Sequence, residues 1–288
     1  MLLSILMLSL PMTSFQKRGN EDLTLVSFNV RYGTPGDGEN KWKSRRGKVF
    51  AIFQRYKEGI IGVQEALPNQ INEILKAVPD LRVIARSRMA DETKGEATAI
   101  FYNRALWKPE SEETYWLSDT PDVAGSTTWG NTLPRITTEV VFKNRKTGKK
   151  VRIINTHLDH RSQPARIKST ELMLNRVEQV NDDIPTFMIG DFNAHPDNEL
   201  VAEITKTFKD SYSGGKFDGC TFHSWHGGSN CPRIDYIFYQ EDRVKIMESG
   251  IDRFKRGRYY PSDHYPIYAK VKLWPLFYHT FYGITFIS

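Results

Sequence analysis

The stretch "IGDFNAHPDN", Ile189–Asn198, closes an apolar run, Pro185–Gly190, that reads as a buried strand, and "HPDNEL" after it reads as a turn entering a helix. An acid and an amide, Asp191 and Asn193, therefore stand at the tip of a strand. Two positions apart in extended geometry, their side chains point to the same face. Asp and Asn are also ordinary turn residues, so the meaning of the pair depends on what stands at the other strand ends.

Working outward, short apolar runs alternate with amphipathic ones. "LTLVSFNV" from Leu23, "GIIGVQEAL", "EATAIFYN", "RIDYIFYQ", "VKIMESGI" and "HYPIYAKVKL" read as strands. "RITTEVVFKNRKTGKKVRIINTHL" reads as a hairpin turning at "RKTGKK". A helix is expected over Ser44–Lys57 with Ser44 as its N-cap, a second from Pro68, and a third over "PARIKSTELMLNRVEQV", where Ile167, Leu174 and Val177 recur at helical spacing. Hairpins mixed with crossovers predict an α/β chain with a mixed or two-sheet core.

Polar residues then recur where strands stop. Asn29 lies near the end of the first strand, Glu65 ends "IIGVQE", and His157 follows "VRIINT". Asp235 sits inside "RIDYIF", and Asp263 and His264 precede the last strand. Each has an ordinary explanation alone: a cap, a lysine pair, a satisfied core histidine. Repeated acids attached to apolar runs are costly to bury without a common partner. A divalent cation is the simplest partner for such oxygen donors.

The ordered set "SFNVRYG", "GVQEA", "NTHLDH", "IGDFNA", "RIDYIF" and "SDHYPI" resembles the endonuclease/exonuclease/phosphatase superfamily, over about Leu23 to Leu273. The resemblance implies a four-layer α/β/β/α sandwich of two mixed β-sheets flanked by helices, with the site at one end of the sheets. It also implies Mg²⁺- or Mn²⁺-dependent phosphoester hydrolysis. Carried over by motif, Glu65 is the main metal ligand with Asn29 beside it and Asp263 assisting. Asp191 activates the attacking water and Asn193 orients water or phosphate. His264, oriented by Asp235, contacts the phosphate, and His157 donates to the phosphate or the leaving oxygen. None of these eight positions departs from the pattern, which speaks against an inactive phosphate-binding module of the same fold.

The chain has 288 residues, 39% apolar and 12% aromatic, enough for a well-filled core. A formal charge of +6 modestly favours phosphate-bearing partners. No run of five like charges marks a nucleic-acid arm, and no strongly basic face for gripping a long polymer is visible. "MLLSILMLSL" fits the apolar part of a signal peptide, although no Lys or Arg precedes it, so residues 1–20 are read as a leader or hydrophobic segment and the product as secreted or periplasmic. In an exported chain, Cys220 and Cys231 would close a loop as a disulfide. Residues 21–273 then form one domain, followed by an aromatic tail, Trp274–Ser288, too short to span a bilayer.

Substrate contacts are expected from the loops that leave the strand ends. Arg31, Tyr32, Trp42 and Arg45 follow the first strand, Trp129, Asn131 and Arg135 precede the hairpin, and His160, Arg161 and Arg166 follow His157. Arg31, Arg135 and Arg161 are the expected phosphate contacts. The expected partner is a phosphoester, whether nucleic acid, nucleotide or small phosphate ester, with no protein partner evident and a monomer anticipated. A lipid-headgroup phosphodiesterase is the rival, hinted at only by the aromatic tail.

Overall fold

The computed structural model describes residues 22–180, 182–212, 214 and 219–273. The segments expected as a leader or hydrophobic segment and as an aromatic tail lie outside these residues. Two runs buried almost throughout, β1 (Leu23–Asn29) and β2 (Ile60–Ala66), pair in parallel. The helix α1 (Trp42–Arg55) crosses between them, as parallel strands require. Likewise β7 (Lys150–His157) and β8 (Thr186–Asp191) are parallel and joined through α3 (Gln163–Gln179).

Around these pairs the remaining strands are β3 (Leu81–Ile84), β4 (Ala97–Asn103), β5 (Trp107–Trp116), β6 (Ile136–Asn144), β9 (Lys209–Asp210), β10 (Asp235–Tyr239), β11 (Val244–Ile251) and β12 (Ile267–Leu273). Among the described residues they form two six-stranded sheets, ordered β11-β12-β1-β2-β4-β3 and β5-β6-β7-β8-β10-β9. Helices α2 (Pro68–Ala77) and α4 (Glu199–Ile204) complete the framework.

Alternation along the strands assigns the layers. Leu25, Ile60 and Ile100 of one sheet meet Val140, Phe142, Ile153, Phe187, Ile189 and Ile237 of the other in a shared core. On the far side of the first sheet, Val26, Phe28, Ile61 and Phe101 pack against Val49, Ile52 and Phe53 of α1 and Ile71 and Ile74 of α2. Across the second, Ile154, Met188 and Phe238 pack against Met173 of α3 and Leu200 and Ile204 of α4. Each such fully buried side chain contributes roughly 1.5–3 kcal/mol over leaving it exposed. The result is the four-layer α/β/β/α sandwich.

Near the functional end the sheets approach too closely for apolar packing alone. A Cβ on Gly62 would stand 2.4 Å from Ile189 Cδ1 and 3.0 Å from the Asn155 amide. There Gln64 Nε2 donates to Asn155 Oδ1 at 2.7 Å and to Ser27 Oγ at 3.2 Å. Asn155 Nδ2 in turn donates to the backbone oxygens of Val63 and Ala99. These hydrogen bonds pin the sheets together beneath the site, although Gln64 Oε1 is left buried without a partner.

Local expectations differ from the structure in several places. The first helix begins at Trp42 rather than on a Ser44 cap, and Ser44 lies in its first turn with its N–H on Lys41 O. Strand β5 is absent from the sequence reading because Glu110, Ser111, Glu112 and Glu113 give it a charged, exposed middle. It is an edge strand, where charge guards against pairing with another chain. Strand β3, likewise unforeseen, is a short edge of the other sheet with only Leu81 fully buried.

Candidate active site

Topology gathers the polar strand ends. The parallel strands β1, β2, β7 and β8 end on Asn29, Glu65–Ala66, His157 and Asp191, while antiparallel β10 begins on Asp235, so all meet at one end of the sandwich. Register completes the placement, because Asp191 faces His157 on one side and Asp235 on the other. The loop into β12 adds Asp263 and His264.

Asn29 is fully buried and joins the two sheets chemically. Its Nδ2 donates to Glu65 Oε1 at 3.1 Å and to Asp191 Oδ2 at 3.0 Å, while its Oδ1 accepts from Arg31 N. Glu65 sits in a β-bulge between Val63 and Ala66, with φ of 63°. The bulge turns its carboxylate toward the cluster, where Oε2 accepts from Tyr32 N at 3.0 Å. Arg31 and Asn193 also occupy the left-handed region, at φ of 55° and 48°. Non-glycine residues held there are strained, and such strain concentrates at functional sites.

The acids and imidazoles are unequal. Asp191 is buried, and desolvation followed by the charge of Asp235 pushes its pKa up to about 7, against His264, the Asn193 N–H and Asn29. Burial likewise raises Asp263, with Glu65 adding to it. His264 Nδ1 donates to Asp235 Oδ2 at 2.9 Å, and its Nε2 lies 3.8 Å from Asp191 Oδ2. Burial alone would lower its pKa, but Asp235, Asp191 and Asp263 together hold it at about 10, so the imidazole is a cation at neutral pH. His157 is the opposite case. Burial, then Arg135, Arg88, His264 and His160, keep it well below the usual histidine range and hence neutral. Its Nε2 lies 3.6 Å from Asp191 Oδ2.

Asp191, Asp235 and His264 offer ligand atoms within 4.8 Å of one another. His264 Nδ1 is already taken by Asp235, and oxygen donors are the better partners for a hard ion. Their state fits one: Asp235 Oδ1 is buried without a hydrogen-bond partner, and burial, with the charges of Asp235 and Glu65 respectively adding to it, raises Asp191 and Asp263.

Not every expected residue behaves as its spacing suggests. Asn193 does not continue the strand beside Asp191. The chain turns there, its N–H caps Asp191 Oδ1 and its Nδ2 donates to Leu158 O. Arg31 reaches the cluster, bonded to Asp37 and 3.8 Å and 4.0 Å from Asp263 and Glu65. Arg135 is 3% exposed and lies in the wall, with Nε 3.4 Å from Asp159 Oδ2 and Nη2 2.9 Å from His160 Nδ1. Arg161 is exposed, and its backbone N–H donates to Asp159 Oδ1. Trp42 and Arg45 are buried rather than available to a ligand. Arg45 donates to the carbonyls of Asn40, Val30, Arg31 and Pro261 and stacks on Trp42 and Trp225.

Sequence reading missed Glu96 and Arg88. Arg88 Nη2 donates to Glu96 Oε1 at 2.8 Å, and burial with the nearby charge of Glu65 pushes Glu96 up to about 7. An acid directly before the apolar run of β4 was the available signal for Glu96, whereas Arg88 lies in a loop without one.

The expected disulfide joins Cys220 and Cys231. No helix among the described residues is long and apolar enough to cross a membrane.

Among solved structures, the chain resembles an endonuclease/exonuclease/phosphatase from Bacteroides vulgatus at 29% identity and a TM-score of 0.81, covering 87% of this chain and 98% of that one. A mannosyl-6-phosphatase from Bacteroides thetaiotaomicron is 28% identical, with a TM-score of 0.76 and coverage of 86% and 99%. An uncharacterised protein of Acanthamoeba polyphaga mimivirus is 29% identical over 241 residues, 80% of this chain and 81% of its own. The model of the endonuclease/exonuclease/phosphatase family matches residues 26–264, spanning every polar strand end described above, and the chain belongs to that family of phosphoester hydrolases.

Proposed function

We propose that the chain hydrolyses small phosphomonoesters, with sugar phosphates as the first class to examine, using Mg²⁺ or Mn²⁺. The observation that carries this reading is the meeting of Asn29, Glu65, Asp191, Asp235 and His264 at one end of the sheets. The likeness to a mannosyl-6-phosphatase over most of both chains supports the substrate class. The wall beside His157, with Arg88, Arg135 and His160 acting on it electrostatically, suits a dianionic phosphate better than a singly charged diester.

Glu65, with Asn29 and Asp263, would hold the ion, which supplies Lewis-acid neutralisation of the phosphoryl oxygens. Asp191 serves as the base that takes the proton of the attacking water, a role its raised pKa favours near neutral pH. Asn193 fixes Asp191 through its backbone N–H. Asp235 orients His264, which as a cation donates from Nε2 to a phosphoryl oxygen. Neutral His157 donates to the phosphate or leaving oxygen, and Arg31 and Arg161 stand ready for the remaining anionic oxygens. Arg135 supports the wall. The disulfide suits a secreted or periplasmic product.

Hydrolysis of mannose 6-phosphate, p-nitrophenyl phosphate and bis(p-nitrophenyl) phosphate, with Mg²⁺ or Mn²⁺ and with EDTA, tests the proposal. Metal-dependent release of inorganic phosphate from the monoesters is expected. Preference for the diester would overturn the substrate class, and activity undiminished by EDTA would overturn the metal.

A further inference from the structure

Beyond the reacting groups, all five non-glycine residues with left-handed backbone among the described residues lie around this end of the sandwich. Three are Arg31, Glu65 and Asn193, and the other two, Ser224 and Trp225, lie in the loop that the Cys220–Cys231 bridge closes. This loop contains no helix or regular strand, so its shape depends on individual anchors. Those anchors lead to the His264–Asp235 couple.

The N–H groups of Thr221 and Phe222 both donate to Pro232 O, one residue beyond Cys231. Thr221 Oγ1 then accepts from Ile234 N at 3.0 Å and from Asp235 N at 3.2 Å. Thr221 O accepts from Tyr265 N, and the N–H groups of His223 and Ser224 donate to Asp263 O. Phe222 forms an isolated bridge with His264 and sets its ring against the imidazole, centroids 4.8 Å apart and planes tilted by 46°. The loop thus grips the backbone on both sides of His264 and the first residue of β10. Trp225 reaches over to Arg45, whose guanidinium holds Pro261 O. Cys220 is fully buried and Cys231 partly exposed, so the bridge itself is open to a reductant from one side.

We propose that the disulfide-closed loop, through Thr221 and Phe222, is a positioning device that fixes the His264–Asp235 couple in its productive orientation. The two cysteines lie outside the reacting cluster and act through the backbone they clamp. Phe222 is the positioning residue that restrains the imidazole plane, which the single Nδ1–Asp235 hydrogen bond leaves free to rock. A bridge of this kind restrains an irregular loop whose other anchors are single hydrogen bonds.

The proposal rests on the phosphatase reading for its kinetic arm but has a second arm that does not. Hydrogen exchange of the full chain is compared before and after treatment with a phosphine reductant. Faster exchange over residues 219–236 and 262–266, with the distant strands of both sheets unchanged, is the expected result. Unchanged exchange throughout in the reduced protein would overturn the proposal. In the kinetic arm, Phe222→Ala, with the bridge intact, is expected to lower kcat about tenfold with KM within about twofold. Phe222→Tyr is expected to restore most of it. Wild-type kcat in Phe222→Ala would overturn the positioning role even if reduction unfolds the chain. Should the wild-type protein turn over no phosphoester, the exchange comparison decides, and failure of the phosphatase reading stays separate from failure of this one.

Discussion

Asp191 and Asp235 stand opposite each other in the register of two adjacent antiparallel strands, and His264 lies between their carboxylates, 2.9 Å from Asp235 and 3.8 Å from Asp191. Two buried acids this close resist joint ionisation unless positive charge is shared between them. The imidazole supplies one such charge, and Asp191 still titrates near 7. The arrangement therefore separates a base from a cation within one cluster, which acid–base chemistry on a phosphate requires.

Replacing that base is the direct test. Asp191→Asn keeps the shape and the Asn29 neighbour but cannot take a proton from water. A loss of turnover on the order of 10²–10⁴-fold is expected, with circular dichroism unchanged. Near-normal turnover would move the base elsewhere.

The same shifts make stability depend on pH. Asp191 and Glu96 bind protons more tightly folded than unfolded, since each is raised to about 7. Between the unfolded carboxylate range and pH 7, the folded state holds more protons, so stability falls as pH rises through that window. His264, raised to about 10, contributes stability that is complete below its unfolded pKa and lost as pH climbs toward 10. His157, His160 and His223, all held below the usual histidine range, act in the opposite sense below pH 7, because there the unfolded chain binds protons that they do not. Thermal melts of EDTA-treated protein should therefore show the readable fall in Tm between pH 7 and 10, as His264 loses its proton. A Tm that rises over that interval would contradict the assignment.

Glu65 carries the metal prediction. Glu65→Gln retains the acceptor for Tyr32 N but removes the charge. Calorimetric titration with Mn²⁺ should show affinity weakened at least about tenfold, the effect that outer partners alone can have. Equal affinity would place the ion on Asp191 and Asp235 instead.

Much of this site was legible because burial forces a polar group at the end of an apolar run to find partners. Asn29, Glu65, His157, Asp191 and Asp235 all carry that signature, and Asp263 and His264 border the last strand. What stayed hidden depends on the third dimension. The spacing of Asp191 and Asn193 suggested a shared face, but Asn193 stands in a left-handed turn with its amide on Leu158 O. Strand β5 was hidden by its charged middle, since edge strands need no alternation.

Arg45 shows the same limit from the other side. An arginine in a polar loop reads as a ligand contact, yet it is 1% exposed and bonded to four backbone carbonyls. Those carbonyls belong to the segments carrying Arg31 and Asp263, so the residue supports the site without touching substrate. Arg45→Met leaves buried acceptors unpaired and should cost about 3 kcal/mol in urea denaturation. Arg45→Lys should recover little, because an ammonium lacks the planar fork. A loss below about 1 kcal/mol would mean the carbonyls find other donors.

Arg135 separates docking from support in the same way. This guanidinium is buried, holds Asp159 through Nε and His160 through Nη2, leaves Nη1 without a partner, and adds its charge to the burial that keeps His157 neutral. Its effect on the reaction is therefore expected to pass through the wall and His157 rather than through ground-state binding. Arg135→Gln removes one of the charges that, after burial, hold His157 low, so the imidazole should gain proton affinity and its balance with the phosphate should change. The expected kinetics are kcat lowered about tenfold with KM within about twofold. NMR titration of the His157 imidazole in the metal-free protein should show its pKa moving up. A raised KM with unchanged kcat would make Arg135 a direct phosphate contact after all.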